Sequence, residues 1–397
     1  MTHSDLLAAL LAAARTAGAD AADAILVAGI ALDVQLRLGE TEHLERSEGR
    51  DLGLRVFVGR RAAMVSSTAA DPAGFARLAE HAVAMACVVP EDPYAALAEE
   101  AAPPETAGLD LADSAEPDAP ALIARARIAE DAARAVAGVS NSEGGSAGYG
   151  RTEVFLATSA GFAGQYVRTS HSVSATALAG AGTAMQRDYD YSSATHLADL
   201  EDAAGIGRTA GERAVARMNP TRPKTTRLSV VYDPRRARGP RSRPFDGEGV
   251  PTRRRQLVED GVLATWLLDS RSARQLGMKT TGHASRGTGG PPSPGATNLY
   301  LQPGPLPPAA LMADIKEGLY ITELIGMGVN GVTGDYSRGV AGFMIRDGAL
   351  AEPVAEITVA GTLQEMFRNL TPASDLRFRR GTDAPTVRID GMMLAGS

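Results

Sequence analysis

The sequence predicts an α+β protein: N-terminal α/β domains built on antiparallel sheet, then a β-rich, barrel- or sandwich-like C-terminal domain. Three stretches carry that expectation. Residues 318–367 hold three apolar runs, 319–325, 340–345 and 354–360, separated by Gly-rich connections. Val, Ile, Tyr and Phe suit a pleated, half-buried surface, so these runs read as strands. Residues 162–178 alternate, with Val167, Thr169, His171, Val173, Ala175 and Ala177 on one side. Alternation this long suits a twisted antiparallel sheet with one solvated face. Third, the first ninety residues order themselves α-β-β-β-β-α, which an antiparallel sheet with packed helices accommodates most simply.

In chain order, Ser4 can cap a helix to about residue 17, and Gly18 suits the position just past its end. Runs 24–28 and 32–38 read as strands, and 52–58 with 62–67 as a hairpin about Gly59-Arg60. Asp71-Pro72 starts a helix to about residue 85. Residues 89–120 break the pattern with Pro90, Pro93, Pro103, Pro104, Pro117 and Pro120; from 91 to 118 there are nine acidic residues and no basic one. This is either a solvated, partly extended segment or an acidic wrap that contacts a partner or lines a cleft. Asp118 caps a helix to about 136, with Leu122, Ile123, Ile128 and Val136 as its apolar face.

Residues 144–150 read as a flexible connection, and 152–158, 162–178 and 183–191 as long antiparallel strands. A helix over 199–218 stops at Asn219-Pro220. Domains are therefore expected over 1–112, 113–220 and 221–397. The last domain opens with a strand at 227–232. A hairpin about Asp260-Gly261 follows, then a short helix capped by Ser270 and an irregular Gly/Pro run at 282–297. Asp347-Gly348 marks a tight turn. Thr362-x-x-Glu365 reads as a capping box whose helix buries Met366 and Phe367.

The totals exclude several function classes. The 397 residues leave room for two or three domains of ~150 residues each. Net charge is −7, from 40 basic and 47 acidic side chains, which gives no electrostatic case for nucleic acid or an anionic membrane. Cys87 stands alone, so no intrachain disulfide forms and a reducing compartment fits. No run approaches the ~20 apolar residues that span a bilayer. Asp5 and the lack of a basic segment before residues 6–14 argue for a helix there, not a secretory signal. A cytoplasmic protein is expected.

Candidate chemistry is sparse. None of the six histidines lies in an H-E-x-x-H or H-E-x-x-x-H pattern, which would set two imidazoles on one helical face around a metal. Cys87 sits in an apolar stretch and reads as a small buried hydrophobe. No G-x-S-x-G elbow occurs, and no G-x-G-x-x-G follows a strand and opens a helix. Asp246 and Glu248 form one close carboxylate pair, flanked by Arg241, Arg243, Arg253, Arg254 and Arg255. Split pKa values would make them an acid and a base. Ion pairing to those guanidiniums would lower both and suits a structural network. Residues 326–339, GMGVNGVTGDYSRG, contain five glycines. They form either an anion cradle or a tight connection whose turn is hydrogen-bonded by Asp335, Ser337 and Arg338. No Gly-Lys-Ser/Thr follows to favour the cradle.

Three blocks then accumulate: ERSEGRDLGLRVFVGRRAAMVSST, SRPFDGEGVPTRRRQLVEDGVLATWLLDSRSARQLGMKTTGHASRG and GMGVNGVTGDYSRGVAGFMIRDGALAEPVAEITVAGTLQEMF. Together they resemble the TldD/PmbA family, in its PmbA (TldE) branch, from about residue 20 to the C-terminus. The resemblance implies a soluble, cytoplasmic α+β protein. In that family the TldD-type subunit carries an H-E-x-x-x-H helix and a downstream Cys that bind zinc. The PmbA-type subunit lacks them, and the two form a heterodimeric metalloprotease for unfolded or extended peptides. The resemblance therefore implies no catalytic residue and no metal in this chain, with zinc in a TldD-like partner.

The loops bearing Asp246, Glu248, Asp335, Tyr336, Ser337 and Arg338 are expected to shape the cleft or the partner surface. The alternative is a stand-alone homodimeric peptide-binding or scaffold protein without protease activity. One departure is visible. Where the family pattern runs from a strand into a helix, Asp233-Pro234 here leads almost directly into ARGPRSRPFDGEG, so that helix and the segment after it are missing from this sequence, either by a natural deletion or because a segment has been left out.

Overall fold

A computed structural model describes residues 2–103, 109–233, 241–378 and 381–396. The junction after Asp233 lies at 234–240, outside the described residues. The first half of the chain builds one antiparallel sheet from β1 (Ala21–Arg37), β2 (Glu40–Val58), β3 (Arg61–Ser67), β4 (Val139–Thr158), β5 (Ala163–Ala179) and β6 (Gln186–Ala194). The strand order is β3-β2-β1-β4-β5-β6. Because β1 pairs with β2 on one side and β4 on the other, residues 1–112 and 113–220 each give three strands to the same sheet.

The strands outrun their sequence signals. Runs 24–28 and 32–38 are a single strand, since Gly29 and Ile30 continue the ladder opposite Gly49 and Glu48. Residues 144–150 are no flexible connection but part of β4. Their glycines hide the strand from a propensity reading, yet close neighbours require them. A Cβ at Gly144 would meet the Leu36 carbonyl oxygen at 2.1 Å, and one at Gly145 the Ala126 carbonyl oxygen at 2.2 Å.

Four helices cover one face of this sheet: α1 (His3–Thr16), α2 (Phe75–Val88), α3 (Ala119–Arg134) and α4 (Ala203–Ala216). Leu7, Leu10, Phe75 and Ala79 pack on Ala24, Leu26, Leu52 and Leu54. Further along, α3 packs on Val34 and Leu36, and α3 with α4 on Val173, Ala175 and Ala177. The cap of α1 is Thr2, not Ser4: its hydroxyl accepts from Asp5 N while Asp5 accepts from Thr2 N. Asp118 caps α3 as expected, accepting from Ala121 N at 3.0 Å.

The buried stripe of α3 is not the one expected, because Ile128 is exposed and Leu122, Ala126, Ala129 and Ala133 face the core. Close approach of α4 explains it: a Cβ at Gly207 would lie 1.9 Å from the Ala129 carbonyl oxygen, so only small side chains fit. Cys87 is likewise exposed. The core-facing stripe of α2 runs Phe75, Ala79, Ala82, Ala86, and Cys87 falls one residue off it. The described parts of the acidic segment are held to the molecule: Arg274 Nη1 donates to Tyr94 O at 2.7 Å, Arg271 pairs with Asp92, and Thr169 N donates to Leu111 O at 3.1 Å.

The C-terminal part is a barrel, not a sandwich. β7 (Thr226–Tyr232), β8 (Glu317–Ile325), β9 (Asp335–Arg346), β10 (Ala349–Thr362) and β11 (Val387–Ala395) lie in the order β10-β9-β8-β7-β11, and β10 pairs back onto β11 to close the ring. Closure removes the unpaired edges an open sheet would leave. Val230, Leu319, Val340, Met344, Val359 and Leu394 fill the interior. The tight turn between β9 and β10 takes Asp347 at φ 46° and Gly348 at φ 80°. Thr362 does cap the following helix, Leu363–Arg368, and Met366 is buried, but Phe367 is 72% exposed. Successive residues on a helix point different ways, so a six-residue helix cannot bury both. Among the described residues no helix is long and apolar enough to cross a membrane.

Candidate functional site

β7 and β8 run parallel. Parallel neighbours need a long crossover, and here it is the stretch from 233 to 316. That crossover leaves the barrel and lays RPFDGEG, residues 243–249, against the sheet face without helices. Phe245 sits with Ile25, Leu156 and Phe162 in an apolar cluster, its ring 5.3 Å from Phe162 and 5.4 Å from Tyr166.

Asp246 is 2% exposed and accepts three backbone hydrogen bonds. Oδ1 takes Glu248 N at 2.9 Å and Val250 N at 3.0 Å, and Oδ2 takes Ala284 N at 2.9 Å. Gly249, at φ +84°, lets the chain reverse so that Asp246 N reaches Val250 O at 2.8 Å. Glu248, 3% exposed, accepts from Ser270 N at 2.9 Å through Oε2 and faces Arg55 Nη2 at 3.4 Å through Oε1. Arg55 also donates from Nε to Asp23 Oδ2 at 2.9 Å, and Arg286 Nη1 donates to Asp23 Oδ1 at 2.6 Å. The result is a buried quartet of two acids and two guanidiniums, Asp23, Glu248, Arg55 and Arg286, joining β1 and β2 to the crossover.

The partners differ from those the sequence suggests. The described ion pair to Glu248 comes from Arg55, whereas Arg243 donates to Ala284 O at 2.9 Å and Arg255 to Thr281 O at 3.2 Å. Nor are both pKa values lowered. Burial pushes Asp246 up to about 6, against the pull of its three backbone donors. At Asp23 burial acts in the same direction, but Arg55 and Arg286 outweigh it and hold the carboxyl below the usual range. Every carboxylate oxygen of Asp246 and Glu248 is turned into the protein, which makes the pair a buried brace and not an open acid–base couple.

Asp246 has a testable pH signature. A folded pKa of about 6 against 3.8 means that the native state holds a proton the unfolded chain has released. For this group, stability therefore falls as pH rises from about 4 to about 6. Asp23, depressed, acts in the opposite sense and only below the ordinary carboxylate value of 3.8. Asp246→Asn is expected to flatten the stability–pH curve between pH 4.5 and 7, measured by urea denaturation. A variant curve parallel to wild type would exclude the assignment.

The second candidate group lies elsewhere, at the start of β9. Residues 326–339 form a tight connection that leads into β9. Asn330 Oδ1 accepts from Val332 N at 2.9 Å, Thr333 Oγ1 donates to Asp335 Oδ2 at 2.6 Å, Ser337 N donates to Gly328 O at 2.7 Å, and Arg338 reaches Gly326 O. Asp335 and Ser337 are exposed and Arg338 is half-buried, while the Tyr336 ring lies in the barrel core at 8% exposure. Among the described residues no hydrogen bond or ion pair links this group to Asp246 and Glu248.

Two histidines share a carboxylate, since His171 and His196 both face Asp113, and the others have separate partners. His171 faces Asp113 at 3.3 Å, His283 contacts Thr281 O at 2.8 Å, and His43 meets Glu45 at 3.1 Å. Among the described residues no three His, Cys, Asp or Glu side chains gather as a metal would require. Sequence reasoning missed Asp23, Arg55 and Arg286. Asp23 and Arg286 are 263 residues apart, and no local pattern joins them. It also missed Arg217, 6% exposed at the end of α4, which pairs with Asp188 at 2.9 Å and Glu323 at 2.6 Å and so pins α4 to β8.

Comparison with known proteins agrees with this architecture. Residues 22–86 match the model of the PmbA/TldA metallopeptidase domain 1, 112–218 that of the central domain, and 224–396 that of the C-terminal domain. The metalloprotease PmbA of Escherichia coli O157:H7 is 32% identical over 427 residues, covering 95% of this chain and 92% of that one. The PmbA homologue of Haemophilus influenzae is 30% identical, covering 97% and 94%. The alignment with the E. coli protein is longer than the 397 residues of this chain, so that relative has residues without a counterpart here.

Among solved structures, TldE from Thermococcus kodakarensis superposes with a TM-score of 0.85 at 17% identity, covering 98% of this chain and all of that one. A putative modulator of DNA gyrase from Bacteroides thetaiotaomicron gives 0.84 at 22%, covering 99% of each. At those identities the superpositions speak for the fold. With all three family domains matched in order and a relative aligned over nearly its whole length, this chain is a member of the PmbA/TldD metallopeptidase family.

Proposed function

We propose that this chain is the subunit without zinc ligands in a heterodimeric zinc metalloprotease. It pairs with a zinc-bearing, TldD-type subunit in the cytoplasm and helps hold an extended peptide in the cleft between them. Family membership and relatives named as metalloproteases support the proteolytic setting. The observation that carries the division of labour is the fate of Asp246 and Glu248. The one close carboxylate pair in the Gly-rich, Arg-flanked loop is spent on backbone donors and Arg55. The full sequence also has no H-E-x-x-x-H, and the histidines fit no zinc site of three protein ligands among the described residues. What the chain offers a substrate is surface and backbone, and main-chain pairing suits peptides of varied sequence.

The test is co-expression with an H-E-x-x-x-H subunit of the same family. A 1:1 complex on size-exclusion chromatography, with peptidase activity only in the complex, is expected. Stoichiometric tight zinc and peptidase activity in the isolated chain would overturn the reading. A stable homodimer that ignores the zinc-bearing subunit would favour a stand-alone scaffold instead.

A further inference from the structure

The four helices all lie on one face of the first sheet. On β5 that face carries Val173, Ala175 and Ala177. Alternation gives the opposite face to Arg168, Ser170, Ser172, Ser174 and Thr176, paired across to Thr152, Gly150, Gly148, Ser146 and Gly144 of β4. RPFDGEG covers one end of this second face, around Ile25 and Leu156. The remainder is a low floor of glycines and hydroxyls: Ser170 is exposed, and Ser146, Ser172, Ser174 and Thr176 are half-buried.

Where the floor meets the C-terminal part, a cavity of about 250 Å³ opens, lined by Thr152, Arg168, Ser170, Ser193, Thr195 and Arg241. Arg168 comes from β5 and Arg241 from the crossover, so two guanidiniums from different parts of the chain meet the hydroxyls of Thr152, Ser170, Ser193 and Thr195, while Thr169, which also lines the cavity, spends its hydroxyl on Thr195 O. Among the described residues no acidic side chain is in the lining. The volume is below the ~300–1,000 Å³ of sites for drug-sized ligands, which suits a compact group at one end of a longer molecule. A planar carboxylate matches a guanidinium fork through two parallel hydrogen bonds, and hydroxyls donate to the remaining lone pairs.

We propose that this pocket binds a carboxylate, supplied by the C-terminus of an extended peptide lying along the hydroxyl floor. The proposal rests on the reading of the chain as a peptide-holding subunit and names the group it holds. It also fixes direction, since a peptide anchored by its terminus presents its bonds to the partner in one orientation.

The experiment uses the full chain and isothermal titration calorimetry with an N-acetylated Ala-Gly hexapeptide as free acid and as C-terminal amide. The free acid is expected to bind about tenfold more tightly, the worth of one charge-assisted pair. Arg241→Gln is expected to erase the difference while circular dichroism and the melting temperature stay at wild type. Ser193→Ala, a smaller lesion, narrows it. An amide peptide ending in Glu that recovers the affinity keeps carboxylate recognition and moves its source to side chains. Equal behaviour of acid and amide, including no heat from either, overturns the proposal, as does a difference that survives Arg241→Gln. The two readings fail separately. A chain that forms no complex with a zinc-bearing subunit yet separates acid from amide sinks the subunit role alone. An active complex that treats acid and amide alike sinks the pocket alone.

Discussion

Arg55→Ala is expected to destabilise the protein by about 3–5 kcal/mol, the cost of breaking a buried ion pair by deleting one partner. Asp23 and Glu248 are 1% and 3% exposed, so water cannot replace the lost guanidinium. Asp23 keeps Arg286, but among the described residues Glu248 keeps only the Ser270 N–H. The loss falls on the joint between the sheet and the crossover, because Arg55 stands on β2 and Glu248 in RPFDGEG. Arg55→Lys retains the charge without the fork geometry, since Nε and Nη2 cannot both be replaced by one ammonium. It should fall between wild type and Ala. Urea denaturation at pH 7.5 measures both. A midpoint for Arg55→Ala within about 0.5 kcal/mol of wild type, the usual range for surface changes, would mean that the quartet does not brace the joint.

Asp246→Ala should be of similar size for a different reason. It strands three buried N–H groups, those of Glu248, Val250 and Ala284, and an unmet buried donor costs about 1–3 kcal/mol. The loop is expected to lose its reversed shape and with it the seat of Phe245, giving a loss of about 3 kcal/mol or more. Asp246→Asn separates acceptance from charge. Its carbonyl can still serve Glu248 N and Val250 N, but its NH₂ then points at the Ala284 N–H, two donors face to face. An intermediate loss follows. An Asn variant as stable as wild type would refute the Oδ2 to Ala284 contact.

Parts of this arrangement were legible before any coordinates. The three C-terminal strands, the Asp347-Gly348 turn and the Asp118 and Thr362 caps each rest on a few adjacent residues whose side-chain chemistry acts locally. The errors share one cause as well. Gly144, Gly145 and the Ala-rich stripe of α3 are dictated by a neighbouring backbone, Leu36 O, Ala126 O or Gly207, that arrives from far along the chain. A residue chosen for what must pass close to it carries no periodic signal of its own. Cys87 shows the same limit in reverse, since apolar surroundings in sequence did not say which side of α2 it would occupy.

For the site, the sequence singled out Asp246 and Glu248, weighed an acid–base couple against a structural network, placed their loop at the cleft or partner surface, and named the wrong arginines as their partners. Flanking position made Arg241 and Arg253 to Arg255 the obvious partners, but the crossover turns Glu248 toward the sheet, where Arg55 waits.

The residues alone determined an α+β chain of the PmbA/TldD family with no zinc motif, because caps, turns and contiguous motif blocks act over short spans. Tertiary structure alone decided that the last strands close into a barrel, that one sheet spans residues 21–194, and that Asp23, Arg55, Glu248 and Arg286 share a buried site. It also decided which sheet face stays open. Each of these depends on contacts between distant segments, and a charge is held inside a protein only by the partner that folding brings to it.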